Sequence, residues 1–193
     1  MNLRQIILLF TVTLAFILYT GCIKGRKYIF TQPSATVFAS NGRTVVMHTS
    51  TVSVQDMSIV LRVNMQDVKV AGLQLPGNYA YATSFKEPAP FPLEKITDIR
   101  VRPLHAYNDG YGMLDDISEI CTFSYNAEGN DTISEGSVIE GINLADDRIG
   151  MHDVYIYLQD PPAGVHTQQF VVELITDNNS RLADTTVKFI LTP

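Results

Sequence analysis

The sequence predicts an all-β domain of the β-sandwich class, and three observations support this prediction. Apolar and polar residues alternate over several short stretches, as they do in strands with one buried face. Turn signals built from glycine, proline and asparagine separate these stretches. Few stretches place apolar residues at helical spacing, so helices are expected to be rare.

The first clear strand signals lie between residues 34 and 66. Asn41-Gly42 separates Val37-Phe38 from the apolar residues 45–47, and such a pair between apolar runs is a strong hairpin signal. Over residues 59–66, aliphatic side chains or methionine occupy every odd position, while Val60 and three polar residues occupy the even ones. This alternation predicts a half-buried strand with one wetter face.

Four further strands are predicted in the second half of the chain. Residues 98–103 alternate charged and aliphatic side chains and end at a proline, whereas residues 154–158 are apolar on both faces. Two strands close the chain, with apolar side chains alternating over residues 170–174 and again over residues 187–191. The polar residues 177–181 are predicted to be the loop between these two strands.

Residues 104–153 form the least regular part of the sequence and are predicted to be an irregular, partly helical insert in the sandwich. Leu114, Ile117 and Cys121 lie three and four residues apart, which would place them on one face of a short helix. Cys121 is therefore expected to be a buried structural thiol rather than a nucleophile.

The first 22 residues have the composition of a secretory signal. Arg4 gives a positive head, residues 6–18 give an apolar run, and Tyr19-Thr20-Gly21 precedes Cys22. Ordinary secretion with a free Cys22, an uncleaved anchor and a buried core helix are the alternatives. The apolar run is shorter than the roughly 20 residues that a membrane-spanning helix needs.

The residues Thr20-Gly21-Cys22 resemble the cleavage site of bacterial lipoprotein signals, although Tyr19 stands where such signals usually have leucine. The resemblance implies cleavage before Cys22 and attachment of lipid to its thiol. Residues 1–21 are then the signal peptide, 22–27 a tether and 28–193 a single β-sandwich domain. Stable anchoring takes more than one acyl chain at about 0.8 kcal/mol per buried methylene, and lipoproteins of this class carry two or three.

The residues after Cys22 bear on which membrane face carries the protein. Ile23 follows the cysteine, and proteobacterial sorting rules associate residues other than aspartate with the outer membrane. Residues 24–27 contain only positive charges, whereas surface-exported lipoproteins commonly have acidic residues here. The expected location is the bacterial cell envelope, lipid-anchored on the outer membrane and facing the periplasm.

The charge balance argues against nucleic acid as a partner. The chain carries 14 Lys and Arg against 20 Asp and Glu, a net charge of −6, with no basic stripe that could release counterions from phosphates. Cys22 and Cys121 are the two cysteines, so lipidation of Cys22 leaves no intramolecular disulfide.

The sequence contains no arrangement of residues that predicts catalysis, a cofactor or a metal. The histidines are too far apart for helical metal spacing, and they are His48, His105, His152 and His166. Two groups of acidic residues could suggest calcium sites. The first is Asp115, Asp116 and Glu119, and the second is Asp146, Asp147 and Asp153. Both lack the alternating carboxylates and the glycine of a calcium-binding loop. No enzymatic activity is predicted, although a serine, a histidine and an aspartate could still meet in space.

The sequence leaves two binding functions open. The first is a non-enzymatic lipoprotein whose sandwich binds another envelope protein. The second is a small-ligand or glycan-binding component of a nutrient-uptake system, which exposed tyrosines would support. The tyrosines in question are Tyr79, Tyr81, Tyr107, Tyr111, Tyr125, Tyr155 and Tyr157.

The chain as a whole resembles small Bacteroidetes-type cell-envelope lipoproteins of unknown function. The resemblance rests on the residues around Cys22, on residues 96–101 followed by Tyr107-Asn108, and on the two closing strands. It implies an immunoglobulin-like sandwich and no known activity. Some such proteins are O-glycosylated on Asp-Ser or Asp-Thr followed by a small or aliphatic residue. That pattern makes Thr132 a candidate and Thr185 a weaker one, with unmodified threonines as the alternative.

Overall fold

Strand pairing organises the part of the chain that the computed structural model describes, which is residues 27–39, 44–68, 91–127, 131–144 and 152–193. One α-helix, α1, spans Glu135–Asn143 in this part, and short 3-10 turns span Val54–Asp56 and Ser118–Ile120. The strands are β1 (Lys27–Phe30), β2 (Ser34–Ala39), β3 (Thr44–Val45), β4 (Thr51–Ser53), β5 (Met57–Val63), β6 (Met65–Val68), β7 (Phe91–Pro92), β8 (Ile96–Pro103), β9 (Cys121–Ser124), β10 (His152–Leu158), β11 (His166–Gln168), β12 (Phe170–Thr176), β13 (Arg181–Thr185) and β14 (Phe189–Thr192).

The first layer is a five-stranded antiparallel sheet with the strand order β3-β2-β5-β10-β9. β2 and β3 form the predicted hairpin pairing, with Phe38 opposite Val45, while Asn41-Gly42 itself lies outside the described residues. Alternate residues of the central strands face the core, so that Val37, Ile59 and Ile156 are fully buried.

The second layer is the three-stranded antiparallel sheet β13-β12-β8. The alternation predicted for residues 98–103 and 170–174 is confirmed, because Ile99, Val101, Val172 and Leu174 are fully buried. Two small sheets, β11-β14-β4 and β6-β1-β7, extend the layers at their ends. The smaller sheets each include one parallel pair, β14 with β4 and β1 with β7.

The two layers enclose one cluster of buried side chains that reaches from Tyr28 to Leu191. Its largest fully buried aromatic side chains are Tyr107, Phe170 and Phe189. The ring centroid of Phe170 lies 6.2 Å from that of Tyr107 and 6.1 Å from that of Phe189. Burial of each such ring contributes roughly 1.5–3 kcal/mol. The predicted all-β sandwich with an irregular, partly helical insert is confirmed.

The prediction that the two closing strands are joined by residues 177–181 is wrong. That turn leads from β12 into β13, which pairs with β12 along five residue pairs. β14 belongs to a different sheet, and Val187 lies before it and is exposed. β13 escaped the sequence analysis because it lies at a sheet edge, where its residues are only partly buried and show no apolar alternation.

The helix predicted around Cys121 is also wrong. Leu114 is exposed and has φ of 66°, and only Ser118–Ile120 make a 3-10 turn before Cys121 opens β9. The helix lies 14 residues further on, where the Ser134 hydroxyl caps α1 by accepting from the Ser137 amide. Val138 and Ile142, four residues apart, are its buried side chains.

The face of residues 59–66 that was predicted to be polar is exposed to solvent only from Arg62 onward. Ser58 and Val60 are buried, and Arg62 is the exposed residue of β5. Neighbouring strands explain this burial, because β5 lies between β2 and β10 and receives their side chains from both sides.

Side chains of the insert close the outer edge of β8. The Asn143 amide pairs with both backbone groups of Ile96, at 2.9 and 2.8 Å. Ser118 Oγ accepts from the Val101 amide at 3.1 Å and lies 3.0 Å from the Ile99 carbonyl, to which it can donate. Glu135 Oε1 accepts from the Ile99 amide at 3.2 Å. These contacts replace a neighbouring strand and place α1 over the edge of the sandwich.

Candidate functional site

A cleft of about 460 Å³ opens where α1 begins, beside β9 and the Ser118–Ile120 turn. Its walls combine acidic, hydroxyl and apolar side chains, including Ser118, Glu119, Cys121, Phe123, Thr132 and Glu135. Ile133 forms an isolated bridge with Phe123, so the wall before the helix is tied to the edge of β9.

Glu135 is the carboxyl group of this cleft with the most unusual surroundings. Burial raises its pKa first of all, and a hydrogen bond with the Asp98 carboxyl and the nearby negative charges of Asp98 and Asp116 raise it further. The amide of Ile99 opposes these effects by donating to Glu135. Glu135 thus holds a proton more tightly than an exposed glutamate does.

Arg100 is the cation that offsets this group of acids. Its Nε lies 2.7 Å from Asp98 Oδ2 and 3.6 Å from Asp116 Oδ2. The carboxyl groups that act on this guanidinium are those of Asp98, Asp116 and Glu173. Asp98 and Asp116 also act on Glu135, and their charges add to the effect of burial in raising its pKa.

Cys121 lies in the wall of the cleft, where it is partly rather than fully buried. Its Sγ donates to the Ile117 carbonyl at 3.3 Å. Burial, followed by the charges of Asp116 and Glu135, raises the pKa of its thiol to about 12. The thiol stays protonated at neutral pH, which makes it a poor nucleophile.

The histidines do not complete a catalytic arrangement at the cleft. The described residues that line it include no histidine. His48 and His105 are exposed, and His166 is half-buried, with its Nδ1 2.8 Å from the Gly164 carbonyl. His152 lies in β10. The cleft can exchange hydrogen bonds and a proton, and its described residues offer no activated nucleophile beside a base.

Each described member of the two acidic groups has a protein partner. Asp115 accepts from the Gly112 amide, Glu119 from the Tyr111 hydroxyl, and Asp153 forms a bidentate pair with Arg62 at 2.8 and 2.9 Å. Asp146 and Asp147 lie outside the described residues. In the described part of the chain, no three histidine, cysteine or acidic side chains gather as a metal site would require.

The tyrosines divide between the core and the surface. Tyr107 is fully buried and its hydroxyl donates to the Asp160 carbonyl at 2.5 Å, whereas Tyr125 is exposed beside α1. Tyr79 and Tyr81 lie outside the described residues. Tyr155 and Tyr157 are half-buried. Val154, Ile156 and Leu158 alternate with them and face the core, so both tyrosines project from the other side of β10.

Tyr155 and Tyr157 belong to what we call the outer face, the side of the five-stranded sheet that points away from the core. Strand register pairs Tyr155 with Val60, and Val60 with Thr36. Ser58 pairs with Phe38, and Tyr157 lies two residues beyond Tyr155 on the same side of β10. The outer face is thus defined by Thr36, Phe38, Ser58, Val60, Tyr155 and Tyr157. The Ser58 hydroxyl is buried and has no hydrogen-bond partner among the described residues.

The predicted modification sites fall in different places. Thr132 and Thr185 are both exposed, Thr132 in the wall of the cleft and Thr185 at the end of β13. Cys22, the predicted lipid attachment site, lies outside the described residues, as do residues 1–21. Among the described helices, none is long and apolar enough to cross a membrane. All three modifications stay predictions.

Glu135, Asp98 and Arg100 were not singled out by the sequence analysis. A signal for the helix was present, because Ser134 precedes apolar residues at positions 138 and 142. The grouping itself carries no sequence signal, since Asp98 and Glu135 are 37 positions apart and meet only through the contact of α1 with β8.

Comparisons with known proteins add little to this description. No protein-family model matches the chain, and no curated protein matches it. A solved structure titled BspA_C_mut aligns with 84% of this chain at 10% identity and a TM-score of 0.27. The chain spans 46% of the length of that structure. A likeness at this level carries no argument about function.

Proposed function

We propose that this protein is a non-enzymatic lipoprotein, anchored through lipid on Cys22 to the outer membrane and facing the periplasm, whose sandwich binds another envelope protein. The outer face is the observation that carries the binding proposal. Phe38 on β2 and Tyr155 and Tyr157 on β10 all belong to this face, and all three are partly open to solvent. Aromatic residues of this kind are enriched in protein interfaces.

The environment of the cleft supports a role without catalysis. Burial raises the pKa of the Cys121 thiol to about 12, so the thiol stays protonated at neutral pH, and acyl-transfer chemistry would need a thiolate or an activated hydroxyl. The anchoring proposal rests on the apolar run that ends at Gly21-Cys22.

A glycan or small ligand is the second candidate occupant of the outer face. The specific observation in its favour is that Tyr155 and Tyr157 share one side of β10, since adjacent rings can stack on the apolar faces of sugars. The Tyr157 hydroxyl is already engaged with the Ala127 carbonyl at 2.9 Å, which favours the protein partner because the hydroxyl is not free for a ligand.

A photo-cross-linking experiment in the native membrane tests both candidates. A benzophenone amino acid replaces Tyr155 in the full-length protein, and a matched variant carries it at Tyr125, an exposed aromatic residue beside α1. We expect adducts from position 155 that are absent from position 125 and that protease digestion degrades. Adducts sensitive to periodate instead of protease would favour the glycan, and identical products from both positions would overturn an outer-face site.

A further inference from the structure

The small sheet β6-β1-β7 has one side in the core and one side that points outward. Tyr28 and Phe30 of β1 are buried, so the residues that alternate with them lie on the outward side. Strand register places Val68 of β6 and Phe91 of β7 on either side of Lys27. We call this outward side the basal face, and it is defined by Lys27, Ile29, Val68 and Phe91.

Apolar side chains are open to solvent at and beside the basal face. Phe91 is 45% exposed, and among the described residues it is the one phenylalanine that is exposed rather than buried or half-buried. Leu93, whose amide donates to the Tyr28 carbonyl at 2.9 Å, is 47% exposed. Two large apolar side chains at neighbouring positions thus lie where water, a partner or a lipid can reach them.

Lys27 and Phe91 combine an ammonium group with an aromatic ring. The Lys27 ammonium lies 5.4 Å from the centroid of the Phe91 ring, within the range of a cation–π contact. The lysine stem can follow an apolar surface while its ammonium turns toward a headgroup phosphate. This pairing of basic and aromatic side chains is typical of surfaces that lie at the boundary between headgroups and acyl chains.

The charge around the basal face is positive on balance. In β1, β6, β7 and the segment that leads to β8, Lys27 and Lys95 are offset by Asp67 and Glu94. Residues 22–26 add two positive charges and no negative one, in a chain whose net charge is −6. A basic segment of this kind is attracted to anionic phospholipid.

The proposed lipid site lies close to the basal face along the chain. Lys27 comes five residues after Cys22. Because a chain extends by at most about 3.6 Å per residue, these two residues are no more than about 18 Å apart. Lipid on Cys22 would therefore hold the basal face near the bilayer surface.

We propose that the basal face rests on the membrane that carries the anchor, with Phe91 and Leu93 at the boundary between headgroups and acyl chains and with Lys27 beside an anionic headgroup. The proposal rests on the lipid anchor proposed above and deepens it, because it assigns the surface through which the domain sits on the bilayer. The outer face belongs to a different sheet, so this contact does not use the residues assigned to partner binding.

Tryptophan fluorescence tests the contact directly, because the chain contains no tryptophan. Phe91→Trp places a reporter on the basal face, and Met113→Trp is the matched control at another exposed apolar position. Met113 precedes Leu114, whose amide donates to the Pro103 carbonyl at the end of β8 that is remote from β7. The lipidated proteins are reconstituted into vesicles of phosphatidylcholine and phosphatidylglycerol, with and without bromine on the acyl chains.

Flotation of the vesicles reports the anchor, and quenching by bromine reports the contact. We expect both variants to float, and the fluorescence of Phe91→Trp to fall several-fold in brominated vesicles while that of Met113→Trp stays unchanged. Floating protein without quenching at position 91 would overturn the basal contact and leave the anchor standing. Protein that does not float would refute the anchor and the contact together. Blue-shifted emission at position 91 without bromine quenching would show that protein covers this face, which also overturns the proposal.

Two charge variants in the Phe91→Trp background test the role of Lys27. Lys27→Glu should remove most of the quenching, because a carboxylate then faces the anionic surface. Lys188→Glu makes the same change of charge at an exposed position before β14 and should keep the quenching. Equal quenching in the two variants would overturn the assignment of Lys27 to a headgroup. If Phe91→Trp does not fold, Leu93→Trp replaces it as the reporter, and absence of quenching there overturns the contact.

Discussion

The two glycines of α1 lie in different surroundings and should respond differently to an added methyl group. A Cβ on Gly136 would meet no atom within 4 Å, whereas one on Gly141 would overlap the hydroxyl of Tyr125. Tyr125 donates from that hydroxyl to the Val138 carbonyl at 3.1 Å. The hydrogen bond thus depends on the absence of a side chain at position 141.

We expect Gly136→Ala to raise the free energy of unfolding by up to about 1 kcal/mol, because alanine restricts the unfolded chain and favours the helix. Gly141→Ala should give no such gain, because the Tyr125 ring must swing into solvent and lose a hydrogen bond worth about 0.5–1.5 kcal/mol. Urea unfolding of both variants measures the difference. In a Tyr125→Ala background the gain at position 141 should return, and equal stabilisation by both glycine variants in the wild type would contradict this packing.

At the scale of elements, the Ser118 side chain forms hydrogen bonds with the edge strand β8 in place of a neighbouring strand. Its hydroxyl contacts the Val101 amide and the Ile99 carbonyl, two backbone groups that otherwise face the insert. Ser118→Ala should lower the free energy of unfolding by about 1–3 kcal/mol, the cost of leaving partly buried backbone groups without a partner. Ser137→Ala is the control, since Ser137 Oγ contacts the Ser134 hydroxyl at an exposed site. Equal effects of the two variants on the urea midpoint would show that Ser118 does not support the edge.

Strands with a clear apolar alternation could be predicted from the sequence, and a strand without one could not. β8 and β12 alternate because one side of each faces the core, so that Val101 and Leu174 are fully buried. β13 lies at an edge and has no such pattern. The spacing of Leu114, Ile117 and Cys121 was misleading, because Ile117 alone of the three is fully buried.

The candidate site was less predictable than the fold for a related reason. Glu135 owes its environment to Asp98 and Asp116, which approach it from β8 and from the loop before the Ser118–Ile120 turn. No spacing in the sequence encodes such a meeting, which depends on how α1 lies across the sheet edge. Cys121 was predicted to be buried and is partly buried, but its place in the wall of a cleft was not predicted.

At the scale of the whole molecule, side chains close both open sides of the sandwich. On one side, Asp184 Oδ2 accepts from the Ala35 amide at 2.8 Å and the Gln32 amide group donates to the Ala183 carbonyl at 2.5 Å, which joins β2 to β13. On the other side, α1 and the Ser118–Ile120 turn join β8 to β9. These contacts oppose the addition of a further strand at those edges, so the outer face is the better candidate for partner binding.

The proposed anchor places this sandwich at a membrane, and lipid on Cys22 predicts a specific labelling result. One acyl chain binds a bilayer marginally at about 0.8 kcal/mol per buried methylene, so a stable anchor needs at least two chains on the cysteine. Metabolic labelling with a clickable fatty acid should mark the wild-type protein and miss Cys22→Ser. Cys121→Ser is the matched control and should keep its label, because the Cys121 thiol is held in the insert with a raised pKa. Labelling of Cys22→Ser to the wild-type level would refute lipid attachment at Cys22. Loss of label in Cys121→Ser would indicate that the lipid is attached to Cys121 instead.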